Sequence, residues 1–466
     1  MSTGFQLDAV ILREYDIRGI VTDSLTPDAV TAIGHGLGSM LLERDCKSIA
    51  VGYDGRLSSP ELEEAIVSGL SASGMDVVRI GLGPTPMTYF AAYHLNTDAC
   101  AMITGSHNPP DYNGIKMVYQ GKSFWGPDIQ ELGRRVGAGE LCHGKGVVTS
   151  ESVFDAYVDR LAVDYQGTKD LKVAWDPGNG ASGDVIQALV KKLPGDHILI
   201  NETIDGTFPS HHPDPTVEAN LDQLKEVVLR DGCDLGIGFD GDGDRIGIID
   251  SKARVLWGDQ ILIVLASEVL RELPGSTIIT DVKASRAFFD EIRRMGGKPV
   301  MWKTGHSLIK NKMQETGAPL AGEMSAHIFI KHRYYGFDDA QYAAIRVLSI
   351  LASGDETLAD LRDQLPALMN TPELRFPCAE ERKLPAVAEV RARLETQMET
   401  RTDVTVSTID GVRVETKDGW WLLRSSNTQD VLVARCESGT QEGLDRLQAE
   451  LAEQLAASGL SLPDDT

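Results

Sequence analysis

Residues 235–244 read LGIGFDGDGD, an apolar run closed by aspartates and glycines. The run has the composition of a buried strand, and its end has that of a tight turn. The same pattern stands earlier in the chain, as IAVGYDGR at 49–56 and LKVAWDPGNG at 171–180. The earlier copies lead into PELEEAIVSGLSAS and ASGDVIQALVKKL, which have helical character. Strand, glycine turn and helix in succession are the parts of α/β units with a largely parallel sheet. The recurrence predicts three related α/β domains with mixed sheets, at 1–155, 156–255 and 256–370.

The remaining residues, 371–466, change character. VAEVRARLETQM sets Val387, Val390, Leu394 and Met398 at helical spacing, and GLDRLQAELAEQL does the same with Leu444, Leu447, Leu451 and Leu455. Between them DVTVST, GVRVETKDG, WWLLRSS and DVLVARCES read as a strand meander. A smaller α+β domain is predicted there. With no long linker between units, the four should pack around a shared central cleft.

Composition narrows the function. The formal charge of −24 over 466 residues argues against nucleic acid as a partner. It leaves room for a small phosphorylated ligand, because screening over ~8 Å makes local cations decisive. Apolar runs fall far short of the ~20 residues that span a bilayer, so no membrane partner is expected. The N-terminal MSTGFQLDAVILREYD lacks a secretory pattern, and six scattered cysteines read as reduced thiols, which together suggest a cytoplasmic protein.

Asp240, Asp242 and Asp244 carry the sharpest chemical signal. Three carboxylates at one strand end repel unless a cation neutralises them. All-oxygen ligands with places left for phosphate or water suit Mg²⁺. A solvated acidic turn or a structural Ca²⁺ loop is the competing reading, but the spacing lacks an EF-hand's length and terminal Glu. TGSHNPPDYNG at 104–114 is too rich in turn residues for helix or central strand, so it is a shaped loop presenting Ser106 beside His107. Beside a metal loop, Ser106 becomes a candidate to carry a phosphoryl group.

Other stretches offer recognition. AGEMSAHIFIKHRYYGFDD puts Glu323, Ser325 and His327 at alternate positions, which on a strand share a face and suit sugar hydroxyls. WLLRSSNTQD ends a strand with Arg424, Ser425, Ser426, Asn427 and Thr428, a set able to cradle phosphate. REYDIRG supplies Arg13, Tyr15 and Arg18, KTGHSLIK supplies Lys303 and His306, and DVKAS supplies Lys283. Each alone fits a surface residue. Their place at turns in every domain fits a local positive cleft.

REYDIRG, TGSHNPPDYNGIK, DGDGDR, KTGHSLIK, GEMSAH and RSSNT, in this order, resemble the α-D-phosphohexomutase superfamily, most closely its bacterial phosphomannomutase/phosphoglucomutase group. The resemblance implies four domains around a cleft and interconversion of hexose 1- and 6-phosphates. It implies that Ser106 is the phosphoserine, that Ser106, Asp240, Asp242 and Asp244 bind Mg²⁺, and that Arg245 is the arginine following that loop. It makes Glu323, Ser325 and His327 the sugar loop, and Arg424, Ser426, Asn427 and Thr428 the phosphate loop. Arg18, Lys116 and His327 fall on proton-transfer or charge-stabilising positions. Tyr15, Lys283 and His306 fall on ligand-contact positions, with His107 in support. A hexose phosphate substrate and a hexose 1,6-bisphosphate intermediate or activator follow. Ala326 departs from the family's GEMSGH, and Gln429 and Asp430 stand near where a proline is usual. A metal-dependent sugar phosphatase and a non-catalytic phosphosugar-binding module are the rival expectations.

Overall fold

The computed structural model describes residues 4–398, 404–426 and 430–462. Four lobes follow one another, each with its own sheet. In the first, Ser48–Tyr53 is flanked by parallel strands Asp76–Leu82 and Ala99–Ile103. Tyr112–Tyr119 then runs antiparallel between Ala99–Ile103 and Ile17–Ile20. In the second, Leu235–Phe239 lies parallel to Lys172–Asp176 and antiparallel to Ile246–Asp250. In the third, Thr277–Asp281 lies parallel to Lys298–Trp302 and Leu320–Gly322, and Ile328–Ile330 returns antiparallel. Sheets of this mixed kind arise because helical crossovers give parallel neighbours and hairpins give antiparallel ones. The fourth lobe is an antiparallel meander of Thr405–Ser407, Val412–Thr416, Gly419–Ser425 and Val431–Ser438.

The repeated strand end has one physical role throughout. Asp54 Oδ1 accepts from Arg56 N at 3.0 Å, Asp176 Oδ1 from Gly178 N at 2.9 Å, and Asp240 Oδ1 from Asp244 N at 3.0 Å. Each carboxylate ties down the turn that follows its strand.

Burial divides the lobes unequally. One apolar cluster runs from Ala50, Met87 and Phe90 through Trp175, Val185 and Phe239 to Leu262, Leu265 and Ile345, fusing the first three lobes. The fourth has its own cluster, built by Leu374, Val390, Trp421, Leu447 and Leu451. Its helices are Glu380–Met398, which holds Pro385, and Gln441–Ala456. It meets the third lobe through the small patch of Val282, Trp420 and Leu422. The fourth lobe is therefore the one outside the shared core, and polar bonds such as Arg413 Nη1 to Val282 O at 2.7 Å supplement that patch. Among the described residues no helix is long and apolar enough to cross a membrane.

Candidate active site

The loop after Ala99–Ile103 holds Ser106 in the left-handed region, at φ 50. Its N–H donates to Thr104 Oγ1 at 2.8 Å. The buried hydroxyl lies 3.0 Å from Asp240 Oδ2 and 3.2 Å from His107 Nδ1. The returning strand Tyr112–Tyr119 brings Lys116 opposite Met102. Lys116 Nζ donates to Asp242 Oδ2 at 2.7 Å and also to Asp244 Oδ2.

Asp240, Asp242 and Asp244 occupy the hairpin between Leu235–Phe239 and Ile246–Asp250, and all are fully buried. Each offers an oxygen within 4.8 Å of the others. The intervening glycines serve approach as much as bending. A Cβ on Gly241 would stand 2.5 Å from Ser106 O. One on Gly243, at φ 73, would meet Ser182 Oγ at 2.2 Å. Any side chain there would push the carboxylates away from the serine.

Burial, then the charges of Asp242 and Asp244, push the Asp240 carboxyl well above its ordinary range. Burial alone would weaken the ammonium of Lys116, but the field of Asp242 and Asp244 outweighs it and raises its pKa. With all three ionised, the carboxylates would exceed the two nearby cations, Lys116 and Arg245, by one charge, and that repulsion adds to the burial that raises Asp240. Asp242 Oδ1 and Asp244 Oδ1 have no hydrogen-bond partner among the described residues. Repelling carboxylates with orphaned buried oxygens are the donor set of a divalent cation. Burial and the cations Arg245, Arg18 and Lys116 hold the His107 pKa well below its usual value, leaving it neutral.

Glu323, Ser325 and His327 do not lie along a strand. They form the tight turn joining Leu320–Gly322 to Ile328–Ile330, so the expected shared face is not what gathers them. The alternation rule applies only to extended backbone, and Ala326 sits in the left-handed region at φ 69. Glu323 Oε1 accepts from Gly305 N at 2.6 Å. Arg245 Nε donates to His327 Nε2 at 3.1 Å, while His327 Nδ1 lies 3.2 Å from Asp338 Oδ2 and 3.5 Å from Asp244 Oδ1. His327 thereby joins this turn to the aspartate hairpin. The His306 ring packs 5.7 Å from His327, and the Tyr15 ring 5.9 Å from His306.

Ala326 carries a cost that glycine would not. Left-handed backbone costs a residue with Cβ ~1–2 kcal/mol, partly offset by the ~0.4–1 kcal/mol of unfolded-chain freedom that alanine removes. Ala326→Gly is expected to gain about 0.5–1 kcal/mol in chemical denaturation. A loss of stability would show the turn to be unstrained.

Arg18 pairs with Asp16 and donates to Asn108 Oδ1 at 2.6 Å, in the serine loop. Lys283 is held by Glu373 Oε2 at 2.9 Å, from the segment entering the fourth lobe. Arg424 Nε donates to Asp410 Oδ2 at 3.0 Å, which also accepts from Thr304 N at 3.0 Å. Tyr15 donates its hydroxyl to Thr304 O at 2.7 Å. Ser426 N bonds to Val431 O at 3.0 Å, and Asn427 and Thr428 lie outside the described residues. Ser325 is partly exposed. The sequence reading missed Thr85, whose hydroxyl donates to Asp242 Oδ2 at 2.5 Å, and also Asp338, Asp410 and Arg56. Of these, Arg56 and Asp338 stood inside stretches already singled out.

Sequence models of the phosphoglucomutase/phosphomannomutase family match in four parts. Alpha/beta/alpha domain I covers residues 9–140, domain II 155–253, domain III 257–369 and the C-terminal domain 373–454. The chain is 42% identical over 457 residues to a phosphomannomutase/phosphoglucomutase of Pseudomonas aeruginosa, covering 98% of each. It is 41% identical over 441 residues to a phosphoglucomutase of Neisseria gonorrhoeae, covering 94% of this chain and 95% of that one. A crystal structure of a phosphoglucomutase/phosphomannomutase family protein from Burkholderia thailandensis superposes with a TM-score of 0.91 at 41% identity, over 98% of this chain and 100% of that one. The four-lobed fold agrees with these matches: the chain belongs to the phosphoglucomutase/phosphomannomutase family.

Proposed function

We propose that this chain is a phosphohexomutase that moves a phosphoryl group reversibly between O1 and O6 of mannose or glucose phosphate, through phosphorylated Ser106 and a hexose 1,6-bisphosphate. The observation that carries this is the 3.0 Å between Ser106 Oγ and Asp240 Oδ2. It unites a hydroxyl of the first lobe with a triad of the second. Asp240, Asp242, Asp244 and Ser106 would hold Mg²⁺, whose charge screens that of the transferring phosphate.

The protein's own groups do the rest. Lys116 keeps its proton against two carboxylates, so it serves as fixed positive charge beside the phosphoryl group rather than as a base. His107, neutral and 3.2 Å from Ser106 Oγ, orients that oxygen. Glu323 and Ser325 read a pair of sugar hydroxyls, with Lys283, His306 and Tyr15 along the cleft. Arg424, Ser426, Asn427 and Thr428 grip the phosphate that does not react. Arg18 and His327 stand as the groups that follow the hydroxyl's proton, Arg18 by charge and His327 by its imidazole. After the first transfer the bisphosphate turns over, and its other phosphate returns to Ser106. Divisions near 155, 255 and 370 would give each of these roles its own lobe. GEMS in the sugar loop, in place of GEES, leans toward accepting mannose as well as glucose.

A coupled assay on mannose 1-phosphate, glucose 1-phosphate and glucosamine 6-phosphate, with Mg²⁺ and a bisphosphate activator, tests the reading. The first two should isomerise at comparable rates and the third slowly. Inorganic phosphate released as fast as substrate disappears would replace the mutase with a phosphatase. No turnover of any of the three would leave a binding module.

A further inference from the structure

The Arg56 side chain is wholly buried beneath the Ser106 loop. Its Nη1 donates to Pro109 O at 2.6 Å and Tyr112 O at 2.9 Å. Its Nη2 donates to Ser106 O at 2.7 Å and Asn108 O at 2.6 Å. Nε lies 3.3 Å from Asp54 Oδ2, the carboxylate at the end of the adjoining strand. A Cβ on Gly105 would stand 2.5 Å from Cζ, so the guanidinium lies flat against the loop backbone.

This loop cannot hold its shape from within. Pro109 and Pro110 offer no N–H, and its internal bonds are few: Asn108 N to Gly105 O at 2.9 Å, Tyr112 N to Pro109 O at 3.1 Å and Ser106 N to Thr104 Oγ1 at 2.8 Å. Its carbonyls converge on one dry centre, where unsatisfied acceptors would be costly. A planar fork of donors answers them, and an ammonium cannot, because its donors radiate from a single point. Ser106 is also in left-handed backbone, a conformation that persists only where the surroundings over-determine it.

The second lobe completes the clamp. The Phe208 ring covers the guanidinium at 5.2 Å. A Cβ on Gly206 would come within 2.5 Å of Gly55 O, so this segment lies directly on the Arg56 turn. The lobe that presses on Arg56 is the one that presents Asp240, Asp242 and Asp244.

We propose that Arg56 is a positioning residue for phosphoryl transfer. By gathering the carbonyls of Ser106, Asn108, Pro109 and Tyr112 on one guanidinium, it holds the serine hydroxyl at its distance from the aspartate triad. The inference rests on Ser106 being the phosphoryl carrier. Arg56 touches neither substrate nor reacting atoms and acts through the loop.

The test uses the full chain carrying Arg56→Lys or Arg56→Ala, assayed with glucose 1-phosphate, Mg²⁺ and glucose 1,6-bisphosphate. A misplacement near 1 Å is enough to lower kcat roughly 100-fold. The Lys variant should show such a loss with KM unchanged, because the groups that hold the sugar belong to other loops. Millimolar guanidinium should restore part of kcat in the Ala variant and none in Arg56→Lys. Phosphate uptake on Ser106 from the bisphosphate, followed by peptide mass, should slow in parallel. Should the Ala variant not fold, the Lys variant, which keeps its charge opposite Asp54, decides. Parental kcat in folded Arg56→Lys, or kcat and KM changing together, would overturn the inference. Equal uptake in parent and variant would overturn it while leaving the carrier role of Ser106 intact. Absence of phosphate from Ser106 in the parent would remove both.

Discussion

Turnover should collapse by roughly four orders of magnitude in Ser106→Ala, equivalent to about 5.5 kcal/mol of lost barrier reduction. The reason is structural before it is chemical. Ser106 Oγ is the serine hydroxyl within hydrogen-bond distance of the triad, at 3.0 Å from Asp240. Without it the phosphoryl group has no depot on the protein, and the bisphosphate cannot return one of its phosphates to the enzyme. The fold should hardly notice. Alanine keeps the Cβ, and the hydrogen bonds forfeited to Asp240 and His107 are worth ~1 kcal/mol each. Turnover measured beside the melting temperature separates these effects. A folded variant with near-parental turnover would end the covalent role of Ser106.

Lys116→Met should produce the second large effect, with a signature that distinguishes its cause. Lys116 is buried between Asp242 and Asp244, so its removal leaves the triad without its central cation. Breaking a buried pair by deleting one member costs ~3–5 kcal/mol. That loss should appear in full in chelator-treated protein. Saturating Mg²⁺ should recover part of it, since a ligand at a hundred times its Kd stabilises by about 2.7 kcal/mol. The variant should also bind Mg²⁺ more tightly, because the lysine no longer competes for the same carboxylates. Turnover should nevertheless fall by ~10²–10³, the usual loss on deleting a preorganised charge at a developing anion. Thermal shift against Mg²⁺ concentration, run beside the coupled assay, gives both readings. Unchanged Mg²⁺ dependence would show that Lys116 and the cation do not compete for these carboxylates.

What the sequence revealed follows from how local each cause is. The strand-and-turn repeats are local, and so is the aspartate triad, whose members sit within five residues. The apolar periodicity of the last two helices was equally plain in Val390, Leu394, Leu447 and Leu451, all now in one core. Arg56 was visible but mute. Its partners are backbone carbonyls some fifty residues away, and a carbonyl has no residue type to betray it. Asp410 was hidden for a similar reason, its bonds reaching Arg424 within its own lobe and a backbone amide of another. Glu323 to His327 misled by spacing. Alternation means a common face only in extended chain, and the left-handed Ala326 breaks the extension.

The backbone of Thr304 is gripped by two other lobes, while its hydroxyl donates to Asp281 Oδ2 at 3.2 Å within its own. Its carbonyl takes the Tyr15 hydroxyl of the first lobe, and its amide goes to Asp410 of the fourth. These are separate fasteners on one short stretch, each weak enough at ~1 kcal/mol to open by thermal motion. Releasing the amide alone leaves the last lobe tied to the third, because Arg413 Nη1 still donates to Val282 O at 2.7 Å and Arg435 Nη1 to Lys283 O at 2.7 Å. The tyrosine meanwhile moors the first lobe to the third.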